Sequence, residues 1–292
     1  MNTRTLITLT IASFALQHPS FVHAATTINP VNKFAYGANV GWMDWRGNTN
    51  QGAVIGEYVC SGYVYSANCG WINLGGGVPT NGIQYKNLSA NDFGVNHDGL
   101  GNLRGYAYGA NIGWINFENA GAPHLDLKSG KLSGFIYSAN CGWISLSNAV
   151  AYVQTDRVVP GADSNNDGIP DAWALQNFGT ININPNDDPD GDGMSNRQEY
   201  LAGTDPNDPS SNLRITAIIA PSPGSAVDLT WTSVNNRCYY VLESLNLSPL
   251  PIWFDSGLGA VSPDGPTTTR SVSNTNAPIR FYRIQAFRPL GQ

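Results

Sequence analysis

The sequence predicts a mainly β protein with an N-terminal all-β repeat domain, a short loop-helix connector and a C-terminal β-sandwich. Three observations support this fold class. Glycine and proline are abundant, at 32 and 18 of 292 residues, and only 12% of the residues are charged; this composition favours short strands and tight turns over long helices. A seven-residue motif occurs four times in the N-terminal half. The acidic residues, in contrast, are concentrated in one central segment.

Residues 1–24 have the features of a signal peptide. Arg4 is the only charge among them, an apolar stretch runs from Leu6 to Leu16, and Val22-His23-Ala24 fits the small-residue rule for cleavage. We therefore expect a mature chain that starts at Ala25 and is secreted or attached to the cell surface. An uncleaved anchor is the alternative, but the apolar stretch is too short to cross a bilayer, and no later segment reaches 18 apolar residues. No transmembrane segment is expected in the mature chain.

Residues 25–158 contain four copies of the motif Tyr-x-Ala-Asn-x-Gly-Trp. The copies run from Tyr36 to Trp42, Tyr65 to Trp71, Tyr108 to Trp114 and Tyr137 to Trp143, and their tyrosines are spaced 29, 43 and 29 residues apart. Copies with glycine after the tyrosine alternate with copies that carry serine there and a cysteine before the last glycine, which indicates a duplicated pair. Each copy predicts a β-hairpin whose Tyr and Trp meet across the strands, and eight or more short strands in all.

The repeated aromatic residues have two interpretations. They form either a buried ladder that the repeat needs to fold, or an exposed row of rings that stack on sugar faces. In the second case the motif asparagines, Asn39, Asn68, Asn111 and Asn140, would bond to sugar hydroxyls. The candidate ligand-binding residues are then Tyr36, Trp42, Tyr65, Trp71, Tyr108, Trp114, Tyr137 and Trp143.

The four cysteines leave their pairing open. Three pairings are possible for Cys60, Cys69, Cys141 and Cys238, and the sequence does not choose among them. Cys69 and Cys141 occupy equivalent motif positions and could face each other across a pseudo-twofold axis. Cys60 falls at a position that is leucine in later copies, so a buried free thiol is a credible alternative there.

The connector, residues 159–210, holds the excess negative charge. Ten Asp or Glu residues but a single base, Arg197, lie between Asp163 and Asp208, in a chain of net charge −6. Side-chain oxygens occupy positions 1, 3, 5, 9 and 12 of one twelve-residue loop, namely Asp188, Asp190, Asp192, Asn196 and Glu199. Position 6 is Gly193, where a sharp turn is needed, and position 7 offers the Met194 carbonyl. This spacing supplies the hard oxygen ligands of Ca²⁺, so we predict a calcium site.

An earlier loop has most of the same pattern. Its candidate ligands are Asp163, Asn165, Asp167, Asp171 and the carbonyl of Ile169. Position 12 is Ala174, which cannot bind a metal ion. We expect this loop either to bind calcium more weakly or to be completed by an acid from elsewhere, for which Asp205 and Asp208 are the candidates.

A short helix is predicted after each loop. Pro170 suits the start of the first, with its body from 172 to 178 and Gly179 as its stop, and residues 195–202 followed by Gly203 form the second. This loop-helix plan resembles dockerin modules and, more closely, the thrombospondin type 3-like repeats of exported bacterial proteins. The phrase that carries the likeness runs from Asp190 to Pro206. The resemblance implies calcium binding and a stiff connector between domains.

Residues 211–292 predict a small β-sandwich. Strand-like runs at 213–216, 227–231, 239–242 and 281–284 are separated by Pro, Gly, Asn and Ser. The run ending at Trp231 and the final Arg280-Phe-Tyr-Arg283 resemble fibronectin type III-like domains.

Catalytic signatures are scarce. The chain has no nucleophile elbow, phosphate loop or zinc spacing, and no basic stripe that would suit nucleic acid. We therefore predict a secreted or cell-surface, calcium-binding, non-catalytic protein that adheres to or binds an extracellular glycan or a surface protein. The alternative is a polysaccharide-active hydrolase with its site in the repeat domain, where Asp44, Glu57, Glu118 and Asp126 could supply a pair of carboxylates.

Overall fold

The computed structural model describes residues 25–220, 226–247, 250–273 and 279–291, so the predicted signal peptide lies outside the described residues. The described chain is mainly β, which confirms the predicted fold class. The N-terminal strands are β1 (Ile28–Gly37), β2 (Gly41–Asp44), β3 (Val54–Ile55), β4 (Cys60–Ser66), β5 (Gly70–Gly76), β6 (Val95–His97), β7 (Leu103–Gly109), β8 (Gly113–Asn116), β9 (His124–Leu125), β10 (Leu132–Ser133), β11 (Phe135–Ser138), β12 (Gly142–Ser145) and β13 (Val153–Thr155).

The four motif copies form the four predicted hairpins, β1–β2, β4–β5, β7–β8 and β11–β12. In each hairpin the tyrosine lies directly opposite the tryptophan, as Tyr36 does opposite Trp42. Neighbouring hairpins pair with each other, and β12 returns to pair with β1, so eight strands form a closed barrel. Closure leaves these eight strands no unpaired edge along the ring.

The barrel interior is filled by aliphatic side chains from alternate strand positions. The first strands of the hairpins contribute Ala35, Val64, Ala107 and Ile136, and the second strands Met43, Ile72, Ile115 and Ile144. All are buried. Small and large residues alternate around the ring on the first strands, which lets the facing side chains interdigitate.

A ring of hydrogen bonds closes the barrel at the hairpin turns. In each turn the asparagine side-chain amide donates to a carbonyl of the neighbouring turn, at 3.0–3.2 Å. The donors and acceptors are Asn39 to Cys141, Asn68 to Val40, Asn111 to Cys69 and Asn140 to Ile112. Because every turn holds the next one, the motif asparagines connect the hairpins, and each uses one side-chain amide N–H for this contact.

The second motif position is glycine in two copies and serine in the other two. This choice correlates with the size of the fifth motif residue, whose side chain fills the end of the barrel. In the glycine copies that residue is Val40 or Ile112. A Cβ atom on Gly37 would lie 2.7 Å from Val40 Cγ2, and one on Gly109 would lie 2.9 Å from Ile112 Cγ1. The serine copies carry the smaller cysteine at the turn, so each copy exchanges volume between two adjacent positions.

We expect Gly37→Ser to destabilise the protein by about 1–3 kcal/mol, because the added atoms overpack the barrel end. Adding Val40→Cys should restore most of the loss, since copies two and four already combine serine with cysteine. Urea unfolding of the two variants measures both effects. Gly76→Ser is the matched control, because a Cβ there meets nothing within 4 Å. If Gly37→Ser is as stable as Gly76→Ser, then overpacking against Val40 does not explain the glycine at position 37.

All four cysteines are buried free thiols. Cys60 is the buried thiol that the sequence suggested, and burial raises its pKa to about 12. Cys69 and Cys141 do lie in opposite turns of the barrel, but they form no disulfide. They belong to the same apolar core as Val40 and Ile112, the turn residues that lie between them around the ring. The two thiols therefore act as small apolar side chains.

The connector contains the two predicted helices, α1 (Asp171–Phe178) and α2 (Asn196–Ala202). They begin after Pro170 and Ser195, and they end at Gly179 and Gly203, whose φ angles of +70° and +77° are the left-handed values of a glycine cap. Among the described residues, no helix has the length and apolar character needed to cross a membrane.

The C-terminal region forms two three-stranded antiparallel sheets. One has the order β14-β15-β18 and the other β17-β16-β19; the strands are β14 (Ile215–Ile219), β15 (Val227–Thr232), β16 (Cys238–Ser244), β17 (Phe254–Asp255), β18 (Thr267–Val272) and β19 (Phe281–Phe287). Leu229 and Trp231 from the first sheet share a buried core with Tyr239 and Val241 from the second. The region is thus a small sandwich, as predicted.

Candidate metal centre and aromatic surface

The loop at residues 188–199 is a tight turn organised by its own carboxylate. Asp188 accepts hydrogen bonds from the backbone N–H groups of Gly191 and Gly193, both at 2.9 Å. Gly193 has φ of +96°, which a residue with a Cβ atom rarely adopts. The predicted turn glycine is therefore required by the backbone, and it brings the acidic side chains together.

Five side-chain oxygens of this loop are buried without a hydrogen-bond partner among the described residues. They are Asp190 Oδ2, Asp192 Oδ2, Asn196 Oδ1 and both carboxylate oxygens of Glu199. Asp188, Asp190 and Asp192 each offer a ligand atom, and these atoms lie within 4.8 Å of one another. Since buried polar atoms normally have partners, an oxygen cluster of this kind fits a hard divalent cation such as Ca²⁺.

Helix α2 positions the last two of these side chains. Its first turn is held by a bond from the Ser195 N–H to Gln198 Oε1 at 2.7 Å. The side-chain amide of Asn196 donates to the Asn184 carbonyl at 2.9 Å, which leaves the amide oxygen for a cation. Glu199 lies one turn further along the same helix, where its carboxylate is buried.

The electrostatics of the loop favour a bound cation. Burial, together with the charges of Asp192 and Asp190, raises the pKa of Glu199 to about 7. Burial and the charges of Asp192 and Asp188 also raise the pKa of Asp190. Glu199 and Asp190 are therefore harder to ionise in this loop, and a divalent cation would relieve the repulsion between the carboxylates.

We expect calcium affinity to fall as the pH drops below about 7. Calcium requires the ionised carboxylate, and because the pKa of Glu199 is about 7 without metal, each further pH unit should cost about tenfold in apparent affinity. In chelator the sign is reversed: the raised pKa makes Glu199 favour the folded state below pH 4.5, and this contribution is lost as the pH rises through about 7. Calorimetric titrations at pH 6, 7 and 8 measure the first effect; equal affinities would contradict it.

The loop at residues 163–171 has the same turn, but its oxygens are already engaged. Asp163 accepts from the Gly168 N–H at 2.9 Å, as the first acid of the second loop does from its glycine. Asp167 accepts from the Asn165 side-chain amide at 2.9 Å, and Asp171 accepts from a backbone N–H at 3.1 Å. Within the described residues, no oxygen of this loop is both buried and unpartnered. Weaker calcium binding by this loop stays a prediction.

The two loops are joined by side chains of the helices. A Cβ atom on Gly168 would lie 1.7 Å from Arg197 Nη2, so the guanidinium group of α2 packs directly on the turn of the first loop. Ile169, Trp173 and Tyr200 form a small buried core, with the rings of Trp173 and Tyr200 5.9 Å apart. The two loops are therefore packed together through side chains of the two helices.

Asp205, which we predicted as a ligand of the first loop, adjoins the second. Its charge contributes to the raised pKa of Glu199, and its carboxylate accepts from the Asn207 N–H at 3.0 Å. No hydrogen bond joins Asp205 to the first loop among the described residues. The other candidate, Asp208, accepts from the backbone and hydroxyl of Ser210, which lower its pKa.

Helix α2 also contacts both β regions through a buried polar cluster. The Tyr200 hydroxyl donates to Glu57 at 3.0 Å, and Arg288 forms an ion pair with the same carboxylate. Arg237 donates to the carbonyls of Tyr200 and Leu201, at 2.7 and 2.8 Å, and so satisfies the C-terminal end of the helix. The helix that carries Asn196 and Glu199 thus contacts residues of both β regions.

The eight repeated aromatic side chains lie on the outside of the barrel. The four tryptophans are 44–49% exposed and the four tyrosines 39–40%, and the ring centroids of each Tyr–Trp pair are 4.9–5.0 Å apart. The interpretation as a buried ladder is therefore wrong. Aliphatic residues at the alternate positions fill the interior, and this places the rings in solvent.

Comparison with known proteins adds one match. Residues 188–209 match the family model of the bacterial TSP3 repeat, a calcium-binding repeat that is typical of extracellular proteins. No curated protein and no solved structure matches the chain. The match covers the second loop, α2 and the Asp205 turn, and it agrees with the oxygen cluster found there. The likeness of the C-terminal sandwich to fibronectin type III domains has no support from these comparisons and stays a prediction.

Proposed function

We propose that this protein is an exported, calcium-stabilised carbohydrate-binding protein without catalytic activity, which uses the outer face of its barrel. The observation that carries the proposal is the exposure of four equivalent Tyr–Trp pairs on a barrel whose interior is already filled. We also propose residues 25–158, 159–210 and 211–292 as its three domains, with residues 1–24 as the signal peptide.

Exposed indole rings at four equivalent positions suit recognition of sugars. Large aromatic side chains add much apolar area, and contiguous apolar surface exposed to water marks a site of interaction. The C–H face of a pyranose ring is apolar and flat, so it can stack on an indole. A surface protein with an exposed apolar patch is the other kind of partner that could bind this face.

Calcium is the proposed cofactor of the connector. The ion would be held by Asp188, Asp190, Asp192, Asn196 and Glu199, with the Met194 carbonyl, and a weaker ion by Asp163, Asn165, Asp167, Asp171 and the Ile169 carbonyl. When bound, the ion neutralises the crowded carboxylates. Helix α2 then keeps its contacts with Glu57 and Arg237, and the two β domains keep one relative placement.

The hydrolase alternative gains no observation of its own. Each carboxylate suggested for it holds a structural contact. Asp44 pairs with Lys33 at 2.7 Å and Glu57 with Arg288. Glu118 accepts from the Gly105 N–H at 2.9 Å, and Asp126 accepts from two backbone N–H groups of its own turn.

A glycan array probed with the calcium-loaded protein tests the proposal. We expect binding to a subset of polysaccharides, and loss of that binding when Trp42, Trp71, Trp114 and Trp143 are all replaced by alanine. Phe254→Ala is the control, because this aromatic residue is 57% exposed but lies on the sandwich. Circular dichroism checks that each variant is folded. Wild-type protein that binds no glycan, or binding unaffected in a folded quadruple variant, would refute the proposal.

A further inference from the structure

The four aromatic pairs differ in their surroundings. Beside the third pair, Tyr108 and Trp114, a chain segment that includes Phe93 packs against the indole and forms one wall of a groove. Trp114 has an additional aromatic neighbour, Phe93, whose ring meets the indole edge-on with centroids 5.1 Å apart. Phe93 belongs to the segment between copies two and three, where the tyrosine spacing is 43 residues instead of 29. The longer spacing thus corresponds to a structural feature: the extra residues fold over Trp114.

This extra segment, residues 79–93, is held in place by hydrogen bonds of its own residues. The buried Asp92 carboxylate accepts from the backbone and hydroxyl of Thr80, at 3.1 and 2.9 Å, and from the Lys86 N–H at 3.1 Å. The side chain of Asn87 accepts from the Gly94 N–H at 2.9 Å. A wall fixed in this way costs little ordering entropy when a ligand binds.

Between the wall and the barrel lies a groove of about 470 Å³, a volume within the range of small-molecule sites. Its apolar lining includes Leu88, Phe93, Tyr106 and Trp114, and none of its lining residues is charged. Leu88 is 87% exposed at the rim of the groove, next to Trp114 and Phe93 in its lining.

The groove at Trp71 has a different chemistry. Lys33, Arg46 and Asn48 line it beside the indole. Arg46 adds a cation to the Trp71 groove, where Lys33 is paired with Asp44. The uncharged lining at Trp114 offers an acidic group no such partner, so it suits a neutral ligand better. Ligands of different charge should therefore distinguish the groove at Trp71 from the groove at Trp114.

We propose that the groove between the 79–93 segment and Trp114 is the principal sugar site, and that it takes a neutral hexose unit of an oligosaccharide or polysaccharide. The sugar ring lies with one apolar face on Trp114 and its edge against Leu88 and Phe93. The inference rests on the proposed function, and it adds the location and the charge class of the ligand.

The test measures binding of cellohexaose, laminarihexaose, mannohexaose and an oligogalacturonate to the intact protein in calcium, by calorimetry and tryptophan fluorescence. We expect at least one neutral probe to bind, and Trp114→Ala to weaken it about tenfold or more. Leu88→Asp should weaken it similarly without any effect on folding, because the side chain is exposed. Phe254→Ala, on the sandwich, is the control and should change the affinity less than about threefold. Trp42→Ala, Trp71→Ala and Trp143→Ala serve as comparisons, and each should weaken binding of the neutral probe less than Trp114→Ala does.

The outcomes separate the inference from the proposed function. Equal losses in all four tryptophan variants, or a loss confined to Trp71→Ala with the oligogalacturonate, would support sugar binding but refute the Trp114 groove. Retained affinity in both Trp114→Ala and Leu88→Asp would refute the groove as well. If neither these probes nor the glycan array shows binding, the proposed function fails and the inference fails with it.

Discussion

Replacing Glu199 with glutamine should change the stability of the protein in opposite directions with and without calcium. With calcium, the loss of one carboxylate should lower the affinity at least about 100-fold. At calcium near 100 times the wild-type dissociation constant, the variant should then lose most of the about 2.7 kcal/mol that binding contributes. In chelator at pH 8 the substitution removes a buried, unpartnered charge whose pKa is about 7. There the variant should be more stable than the wild type.

Calorimetric titration and thermal unfolding in calcium and in chelator measure this reversal. Asp171→Asn is the control in the first loop, where the carboxylate already accepts a backbone hydrogen bond. It should leave the affinity of the tight site within about threefold. Limited proteolysis gives an independent readout: chelator should expose cleavage sites near residues 180–190 in the wild type, and Glu199→Gln should show them in calcium too. If Glu199→Gln binds calcium with the wild-type affinity, Glu199 is not a principal ligand of the ion.

Replacing Glu57 with alanine should cost about 3–5 kcal/mol, the range for breaking one side of a buried ion pair. The side chains of Glu57 and Arg288 are only 11% and 17% exposed, and the Tyr200 hydroxyl loses its acceptor as well. The double variant Glu57→Met/Arg288→Met should recover much of the loss, because it leaves no uncompensated charge at that pair. Urea unfolding of the calcium-loaded protein measures both.

The matched control for this prediction is the exposed ion pair between Asp264 and Arg270, whose side chains are 53% and 31% exposed. Asp264→Ala should change stability by less than about 1 kcal/mol, because solvent screens the pair. If Glu57→Ala costs no more than this control, the buried cluster does not hold the barrel, α2 and the sandwich together.

Features that depend on neighbours in the chain were predictable from the sequence. All candidate ligands of the second calcium loop fall within twelve residues, so their spacing alone indicates the site. The helix ends at Gly179 and Gly203 follow from local backbone preferences. The hairpins, with Tyr36 opposite Trp42 and its equivalents, follow from the turn residues between them.

Two features were visible as patterns in the sequence, but their structural cause was not. The alternation of glycine and serine was visible, but its cause is the contact between Gly37 and Val40 at the barrel end. The longer spacing before the third copy was also visible, but only the fold shows that it brings Phe93 against Trp114. In both cases a residue's neighbour in space sets the volume that it can occupy.

The local units follow from the amino-acid sequence alone: the hairpins, the acidic loop at residues 188–199 and the two helices. The face of the hairpins that lies inside depends on how the whole chain folds, because strand alternation defines two faces and both carry apolar residues. Closure of the barrel between β12 and β1 buries the aliphatic face and leaves Trp114 and its equivalents in solvent. The cluster of Glu57, Tyr200 and Arg288 joins residues up to 231 positions apart. Such contacts form only when the whole chain has folded, and no local spacing encodes them.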